Sequence, residues 1–174
     1  MNVKDGYTFE KYVAKIFEEA GYSVELEKRL EDRSGDIDII AEKEAKRYCI
    51  EVKFSRIIDK AVERICTIEE YNMLPVLVSA YVIEEKKKIL YQKKYPKMIM
   101  IDVTNLLFAV TYNTELYNEL VSILPYSVDD IEPQEGFIKL DRIQHDDYTN
   151  SLIKEMELCQ AGRPTFTKYE ELCY

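Results

Sequence analysis

Three of the charged residues inside two apolar segments of this sequence have types and a spacing that could bind a metal ion. Asp38 lies within residues 35–41, and Glu51 and Lys53 lie within residues 48–54. Strand side chains alternate between two faces, so Glu51 and Lys53 would project side by side from one face. A carboxylate in an apolar strand is costly unless it is paired or binds a metal. The pattern therefore predicts a functional cluster.

The turn-like residues 42–47 would join the two strands into a hairpin that gathers Asp38, Glu51 and Lys53 at one point. Two carboxylates can bind Mg²⁺ and leave positions open for water. The metal would polarise a phosphoryl group, and the lysine could orient or deprotonate the attacking water or neutralise charge. The alternative is a solvated Glu51–Lys53 pair on an exposed hairpin, but apolar residues on both faces favour central strands.

Asp38, followed after a spacer by Glu51-Val52-Lys53, resembles the PD-(D/E)xK nuclease signature. The runs Gly-Asp-Ile-Asp-Ile-Ile-Ala and Ile-Glu-Val-Lys are similar to its Mrr-like restriction endonuclease and Holliday-junction-resolvase branches. The resemblance implies an α/β, restriction-endonuclease-like fold whose αβββαβ core surrounds a central mixed sheet. It also implies a DNA endonuclease that uses Mg²⁺, with Mn²⁺ as a substitute, in restriction, defence or repair. Ile37 stands where the family name has proline.

A helix is predicted over residues 7–20 by an apolar stripe with a spacing near 3.6, and Gly21 ends it. Glu10 lies at the edge of that stripe, and the resemblance implies it as an additional metal ligand beside Asp38 and Glu51. An ordinary exposed helix glutamate is the alternative. Further side chains could support the site from a second layer: Asp36, Ser55, Arg56 and Tyr71.

The remaining core elements follow from apolar periodicity and breakers. They are an edge strand at 22–28, a helix at 59–73, a strand at 76–83 after Pro75, a charged helix at 84–94, a strand at 97–103 and a short helix at 105–110 that Thr104 could cap. This order matches the core that the resemblance implies.

The net charge of −9 is unevenly distributed along the chain. Residues 1–112 contain 19 Lys and Arg against 20 Asp and Glu, whereas residues 113–174 contain 5 against 13. We therefore predict a nuclease-like domain over 1–112 and an acidic helical extension over 113–174. Lysines at 86–88 and 93–97 could contact phosphates, or could equally form a solubilising helix face.

The extension has helical patterns at 114–124, with Thr114 as a candidate cap, and at 146–160, followed by a capping box at 167–170. Its apolar helix faces predict burial against something, either a second copy of the chain or a protein partner. A self-inhibitory element over the cleft is an alternative. A broader alternative is a non-catalytic nucleic-acid-binding or assembly subunit that retained the nuclease fold.

Composition excludes several other classes of protein. No apolar run is long enough for a membrane span, and the N-terminus lacks the apolar core of a signal peptide. The four cysteines fit no zinc spacing and are best explained as free thiols of a cytoplasmic protein. His145 is the only histidine, so no triad or histidine-based nuclease motif can form.

Overall fold

Helices cover both faces of a five-stranded sheet in the computed structural model, which describes residues 3–29, 36–67 and 72–140 together with Met156. The first six elements are α1 (Val3–Glu19), β1 (Ser23–Arg29), β2 (Asp36–Lys43), β3 (Lys46–Lys53), α2 (Asp59–Cys66) and β4 (Leu74–Ser79). They are followed by α3 (Glu85–Lys94), β5 (Ile99–Ile101), α4 (Val103–Val110) and α5 (Thr114–Ile123). The order confirms the predicted α/β fold and its αβββαβ core.

The strands lie in the sheet in their sequence order, β1-β2-β3-β4-β5. The first three pair antiparallel, and β3, β4 and β5 pair parallel, so the sheet is mixed as predicted. β1 is an edge strand, as its alternating sequence indicates. Opposite residues across β3 and β4 include Lys53 and Ser79, which places the last residues of both strands at one end of the sheet.

A two-residue turn joins β2 to β3. Glu44 and Ala45 adopt positive φ angles of 52° and 63°, and Lys43 pairs with Lys46 across the hairpin. Two left-handed residues in succession give the backbone twist that a tight hairpin needs. The hairpin is therefore tighter than the six-residue connection predicted at 42–47.

Each face of the sheet has its own apolar cluster. One cluster includes Phe9 and Phe17 of α1, α4, α5 and the β3 residues Ile50 and Val52. The other includes Cys49, the buried apolar residues of α2 and Tyr91 of α3. The predicted alternation in β3 is confirmed, because Ile50 and Val52 point to the α1 face and Cys49 points to the α2 face.

Two predicted elements end early. α2 stops at Cys66 rather than at residue 73, and residues 68–71 lie outside the described part of the chain. β4 stops at Ser79 rather than at residue 83. The Ser79 hydroxyl accepts the backbone N–H of Tyr81 at 3.1 Å, which is a local bond that turns the chain away from the strand.

Two helices are capped by residues other than those predicted. Asp102 caps α4 by accepting the N–H of Thr104 at 3.0 Å, and the Asp102 N–H donates to the Asn105 side chain at 2.9 Å. Asn113, rather than Thr114, caps α5 by accepting an N–H of its first turn at 3.1 Å. Asp and Asn are stronger N-caps than Thr, which explains both shifts.

The chain divides into two compact units, Met1–Leu140 and Asp141–Tyr174. The first unit extends past the boundary predicted after residue 112, because α5 packs onto α1. Leu116 and Leu120 are buried in the α1-side cluster, and the Tyr12 hydroxyl donates to the Leu116 carbonyl at 2.8 Å. These α5 residues therefore do not need a partner chain to cover them.

The second unit contains the helix predicted at 146–160 and the capping box at 167–170, both of which fall outside the described residues except for Met156, which is helical. Within the described residues, no helix combines the length and the apolar character that crossing a membrane requires.

Candidate active site

The hairpin opens at the position of Asp38. Pairing between β2 and β3 runs from the turn to Ile39 and Ile50, and one residue farther on the Asp38 Oδ2 accepts the N–H of Val52 at 2.8 Å. The Asp38 side chain thus accepts a hydrogen bond that a main-chain carbonyl of β2 would accept in a regular antiparallel pair. Strict alternation predicts that Ile37 and Ile39 share a face, but they pack in different clusters, so β2 departs from alternation beside Asp38.

Glu51 is the centre of the site. Its side chain is 2% exposed, although it carries a carboxylate. One oxygen, Oε1, lies 3.2 Å from the Lys53 Nζ and 3.8 Å from the Arg64 Nη1. The other oxygen, Oε2, is buried and accepts no hydrogen bond from the part of the chain that the structure describes. One half of this carboxylate is therefore satisfied by cations and the other half is not.

The pKa of Glu51 is raised above its usual value, first by burial and then by the charge of Asp38. Arg64 and Lys53 act in the opposite direction and lower it. Since Asp38 is close enough to perturb Glu51, the structure brings together all three residues of the predicted cluster. The two carboxylates favour a third positive charge between them.

Glu10 is placed differently. It is half-buried on α1, which packs on the sheet face of Ile39 and Ile50, whereas Glu51 follows Cys49 onto the α2 face. Across the described residues, no three Asp, Glu, His or Cys side chains form a group that could hold a metal ion. The structure therefore assembles a two-carboxylate site, and a ligand role for Glu10 stays a prediction.

Of the four supporting residues predicted from the sequence, Ser55 and Arg56 lie in the described part of the chain. The Ser55 hydroxyl accepts the N–H of Ile57 at 3.2 Å, and the Arg56 guanidinium lies 5.0 Å from the centroid of the Tyr81 ring. The Asp36 side chain and Tyr71 lie outside the described residues.

Sequence reasoning missed Arg64. It lies in α2, whose apolar residues Ala61, Val62 and Ile65 pack on the same sheet face as Glu51. A basic residue within this helix could have been predicted to contact Glu51, because α2 directly follows β3 and must cross the sheet face from which Glu51 projects. Its neighbours in sequence gave no reason to prefer it to the other basic residues of the segment.

Two cysteines lie in the cluster on the α2 face of the sheet. Cys49 and Cys66 are buried thiols that form no disulfide, as predicted. Burial, followed by the charge of Glu51, raises the pKa of Cys49 to about 12, so this thiol is neutral at physiological pH. Cys159, Cys173 and His145 lie outside the described residues.

A hard divalent cation fits the donors that are present. Mg²⁺ prefers oxygen ligands and is commonly bound through one or two carboxylates, with the remaining positions filled by water and phosphate oxygens. Asp38 and Glu51 supply such carboxylates, and the unsatisfied Oε2 of Glu51 is an available donor. A buried acceptor without a partner costs about 1–3 kcal/mol, and a bound cation would remove that cost.

One comparison with known proteins matches a family over part of the chain. The Mrr_cat family model, described as restriction endonuclease, matches residues 2–67, a stretch that contains Asp38, Glu51, Lys53 and Arg64. This match confirms the resemblance to Mrr-like PD-(D/E)xK nucleases that the sequence predicted. Proteins of this restriction-endonuclease-like family typically use divalent metals, although the match does not identify which one.

No curated protein matches the chain at a significant level. Among solved structures, a protein of unknown function titled AF1548 is 17% identical and covers 95% of this chain and 93% of its own, with a TM-score of 0.47.

Proposed function

We propose that this protein is a Mg²⁺-dependent endonuclease that hydrolyses phosphodiester bonds in DNA. The family match supports a nuclease, and the finer assignment of residues rests on the site. Asp38 and Glu51 would hold the metal, and Lys53 would act on the attacking water. Mn²⁺ is expected to substitute for Mg²⁺, because both accept octahedral oxygen coordination.

The observation that carries the proposal is the state of the Glu51 carboxylate. It is almost completely buried, it is paired through one oxygen, and its second oxygen has no hydrogen-bond partner among the described residues. A structural ion pair would satisfy both oxygens, since a buried unpaired acceptor destabilises the fold. A buried carboxylate with one unpaired oxygen, beside a second carboxylate, favours a cation site over a structural role.

Each residue has a distinct task in this proposal. A bound divalent cation would polarise the scissile phosphate and acidify a water molecule. Asp38 accepts the Val52 N–H, and this hydrogen bond holds its carboxylate in one orientation without a search through rotamers. Lys53 can donate a hydrogen bond to the water or to the developing phosphate charge, and Arg64 positions Glu51 through Oε1.

The decisive experiment is a cleavage assay on supercoiled, linear, single-stranded and branched DNA with Mg²⁺, Mn²⁺, Ca²⁺ or EDTA. We expect cleavage with Mg²⁺ and Mn²⁺, and binding without turnover with Ca²⁺, whose coordination is looser. Asp38→Asn should abolish cleavage, and Lys53→Met should reduce it by at least about 100-fold. Both variants should keep the wild-type circular dichroism spectrum.

Glu42→Gln is the matched control, because Glu42 is an exposed strand glutamate of the same hairpin, paired with Arg47 at 3.7 Å. It should cleave at the wild-type rate. Full activity in excess EDTA, or in purified Asp38→Asn protein, would refute the proposal. DNA binding without cleavage under every metal condition would instead support the non-catalytic alternative.

A further inference from the structure

A pocket of about 530 Å³ opens at the end of the sheet where β3 and β4 finish. Ser79, one of its lining residues, is opposite Lys53 in the β3–β4 register, and the Ala80 N–H donates to the Lys53 carbonyl at 2.9 Å. The pocket therefore begins directly beside the proposed catalytic lysine. Its volume is within the range of about 300–1,000 Å³ that is usual for small-ligand sites.

Two tyrosines form an aromatic wall of this pocket. The ring centroids of Tyr81 and Tyr126 are 5.2 Å apart, with an interplanar angle of 35°. Both rings pack against the α1-side cluster, and the Tyr126 hydroxyl donates to the Ala80 carbonyl. The exposed Arg56 guanidinium lies 5.0 Å from the Tyr81 centroid and extends the aromatic surface with a cationic plane.

The charge and exposure of the rim suit an anion with an apolar ring. Arg56 and Lys87 supply two positive charges against the single carboxylate of Glu84. Two apolar side chains remain open to solvent there, Ile57 at 75% and Val82 at 53% exposure. Flat aromatic and guanidinium surfaces beside cationic groups are the features that bind unpaired nucleotides, by stacking the base and pairing the phosphate.

We propose that this pocket binds one unpaired nucleotide of the DNA strand next to the scissile phosphate. The base packs against Tyr81 and Arg56, and its phosphate lies near Arg56 and Lys87. A base inside an intact duplex cannot enter, because it is stacked and paired. The substrate class is therefore DNA that carries an unpaired nucleotide near the cleaved bond. This inference rests on the proposed function, since that function places the scissile phosphate at Lys53.

The test uses the full chain with Asp38→Asn, so that DNA is bound but not cut. Its affinity is measured by fluorescence anisotropy in Mg²⁺ for a duplex with a single unpaired 2-aminopurine and for the matched continuous duplex. We expect the unpaired site to bind at least about fivefold tighter, the lower limit for one stacked base. The fluorescence of the 2-aminopurine should fall on binding, because stacking quenches it.

Two surface variants then locate the effect. Arg56→Ala and Val82→Glu should each remove the preference and the quenching, and both positions are exposed enough for the fold to tolerate the change. Arg47→Ala is the matched control, since Arg47 is six residues from Lys53 along β3, or about 20 Å. It should lower affinity for both DNAs equally, if at all.

The outcomes separate the pocket from the chemistry. Equal affinity for the two DNAs, or a preference that survives both pocket variants, would overturn the inference, whatever the cleavage assay shows. A preference that depends on Arg56, together with no cleavage by the unmodified protein, would sustain the pocket and refute the proposed function.

Discussion

At the scale of single residues, Glu51 is held in an environment that suits its charged form poorly without a metal. Burial and the neighbouring Asp38 charge raise the pKa of Glu51, while Lys53 and Arg64 offset part of that effect. Because the folded state then holds the proton more tightly than the unfolded state, ionisation of Glu51 destabilises the metal-free fold. The free-energy cost of keeping Glu51 ionised is therefore measurable as a change in the free energy of unfolding.

Glu51→Gln should stabilise the metal-free protein at pH 7, by an amount on the order of 1 kcal/mol. We expect a gain in stability because the pKa of Glu51 is raised in the folded state. The stability contributed by its protonated form is fully present below the unfolded value of about 4.3 and is lost as the pH rises through the folded pKa. The gain in Glu51→Gln should therefore disappear in acid. Urea unfolding in EDTA between pH 3.5 and 8 measures this.

Glu42→Gln provides the comparison, because its parent side chain is 54% exposed and only weakly paired. It should change stability by less than about 0.5 kcal/mol at any pH. Added Mg²⁺ should stabilise the wild-type protein and leave Glu51→Gln almost unaffected. A Glu51→Gln protein that is less stable than the wild type at pH 7 without metal would show that the carboxylate is mainly a structural ion-pair partner.

At the scale of elements, the site followed from the sequence wherever the signal was local. Period-two alternation placed Glu51 and Lys53 on one face of β3, and the short spacing to Asp38 required a hairpin. Contacts between segments that are distant in the sequence could not be predicted from strand alternation and spacing. Arg64 reaches Glu51 only because α2 crosses the sheet, and the rotation of that helix depends on packing that a single sequence does not reveal.

The lysines of α3 illustrate the same limit. Their spacing suggested either phosphate contacts or a solubilising face, and the structure gives Lys88 a third role. Its Nζ lies 3.1 Å from the Oδ2 of Asp102, which is completely buried and also accepts the N–H of Ile83 at 3.0 Å. Lys88 thus ties α3 to the start of α4 and is not available to bind DNA.

Lys88→Met should destabilise the protein by about 3 kcal/mol, because it leaves a buried carboxylate without its counter-charge. Lys86→Met is the matched control on the same helix, and since Lys86 is exposed it should cost less than about 0.5 kcal/mol. Urea unfolding gives both values, and DNA affinity at fixed salt should change little in Lys88→Met. If Lys88→Met markedly lost DNA affinity while its stability stayed unchanged, Lys88 would be a phosphate-binding residue instead.

At the scale of the whole molecule, the acidic residues of 113–174 are divided between the two units. Residues 113–140 contain 6 Asp and Glu against 1 Lys, and they lie in the same unit as the sheet. Residues 141–174 contain 7 against 4 Lys and Arg. The boundary predicted from charge therefore separated α5 from the core on which it packs. Acidic residues on the solvent-facing side of a helix change the local composition even where no domain boundary exists.

Truncation distinguishes the two boundaries. A chain ending at Leu140 should unfold cooperatively, whereas one ending at residue 112 should not fold. The shorter chain lacks five buried aliphatic side chains, each worth about 1.5–3 kcal/mol, and their sum equals the stability of a typical domain of about 5–15 kcal/mol. The five residues are Leu116, Leu120, Leu124, Val128 and Ile138. Cooperative unfolding of the 1–112 chain would contradict the assignment of residues 1–140 to one compact unit.

The chain ending at Leu140 also tests the role of residues 141–174. If they form a surface for a second copy or a protein partner, their removal should change the oligomeric state seen by light scattering and leave DNA affinity similar. Their net charge is only −3, so repulsion of phosphates is a small effect that falls further as salt is added. We therefore expect the first outcome. Unchanged light scattering with DNA binding that becomes tighter at low salt would identify the segment as a shield over the cleft instead.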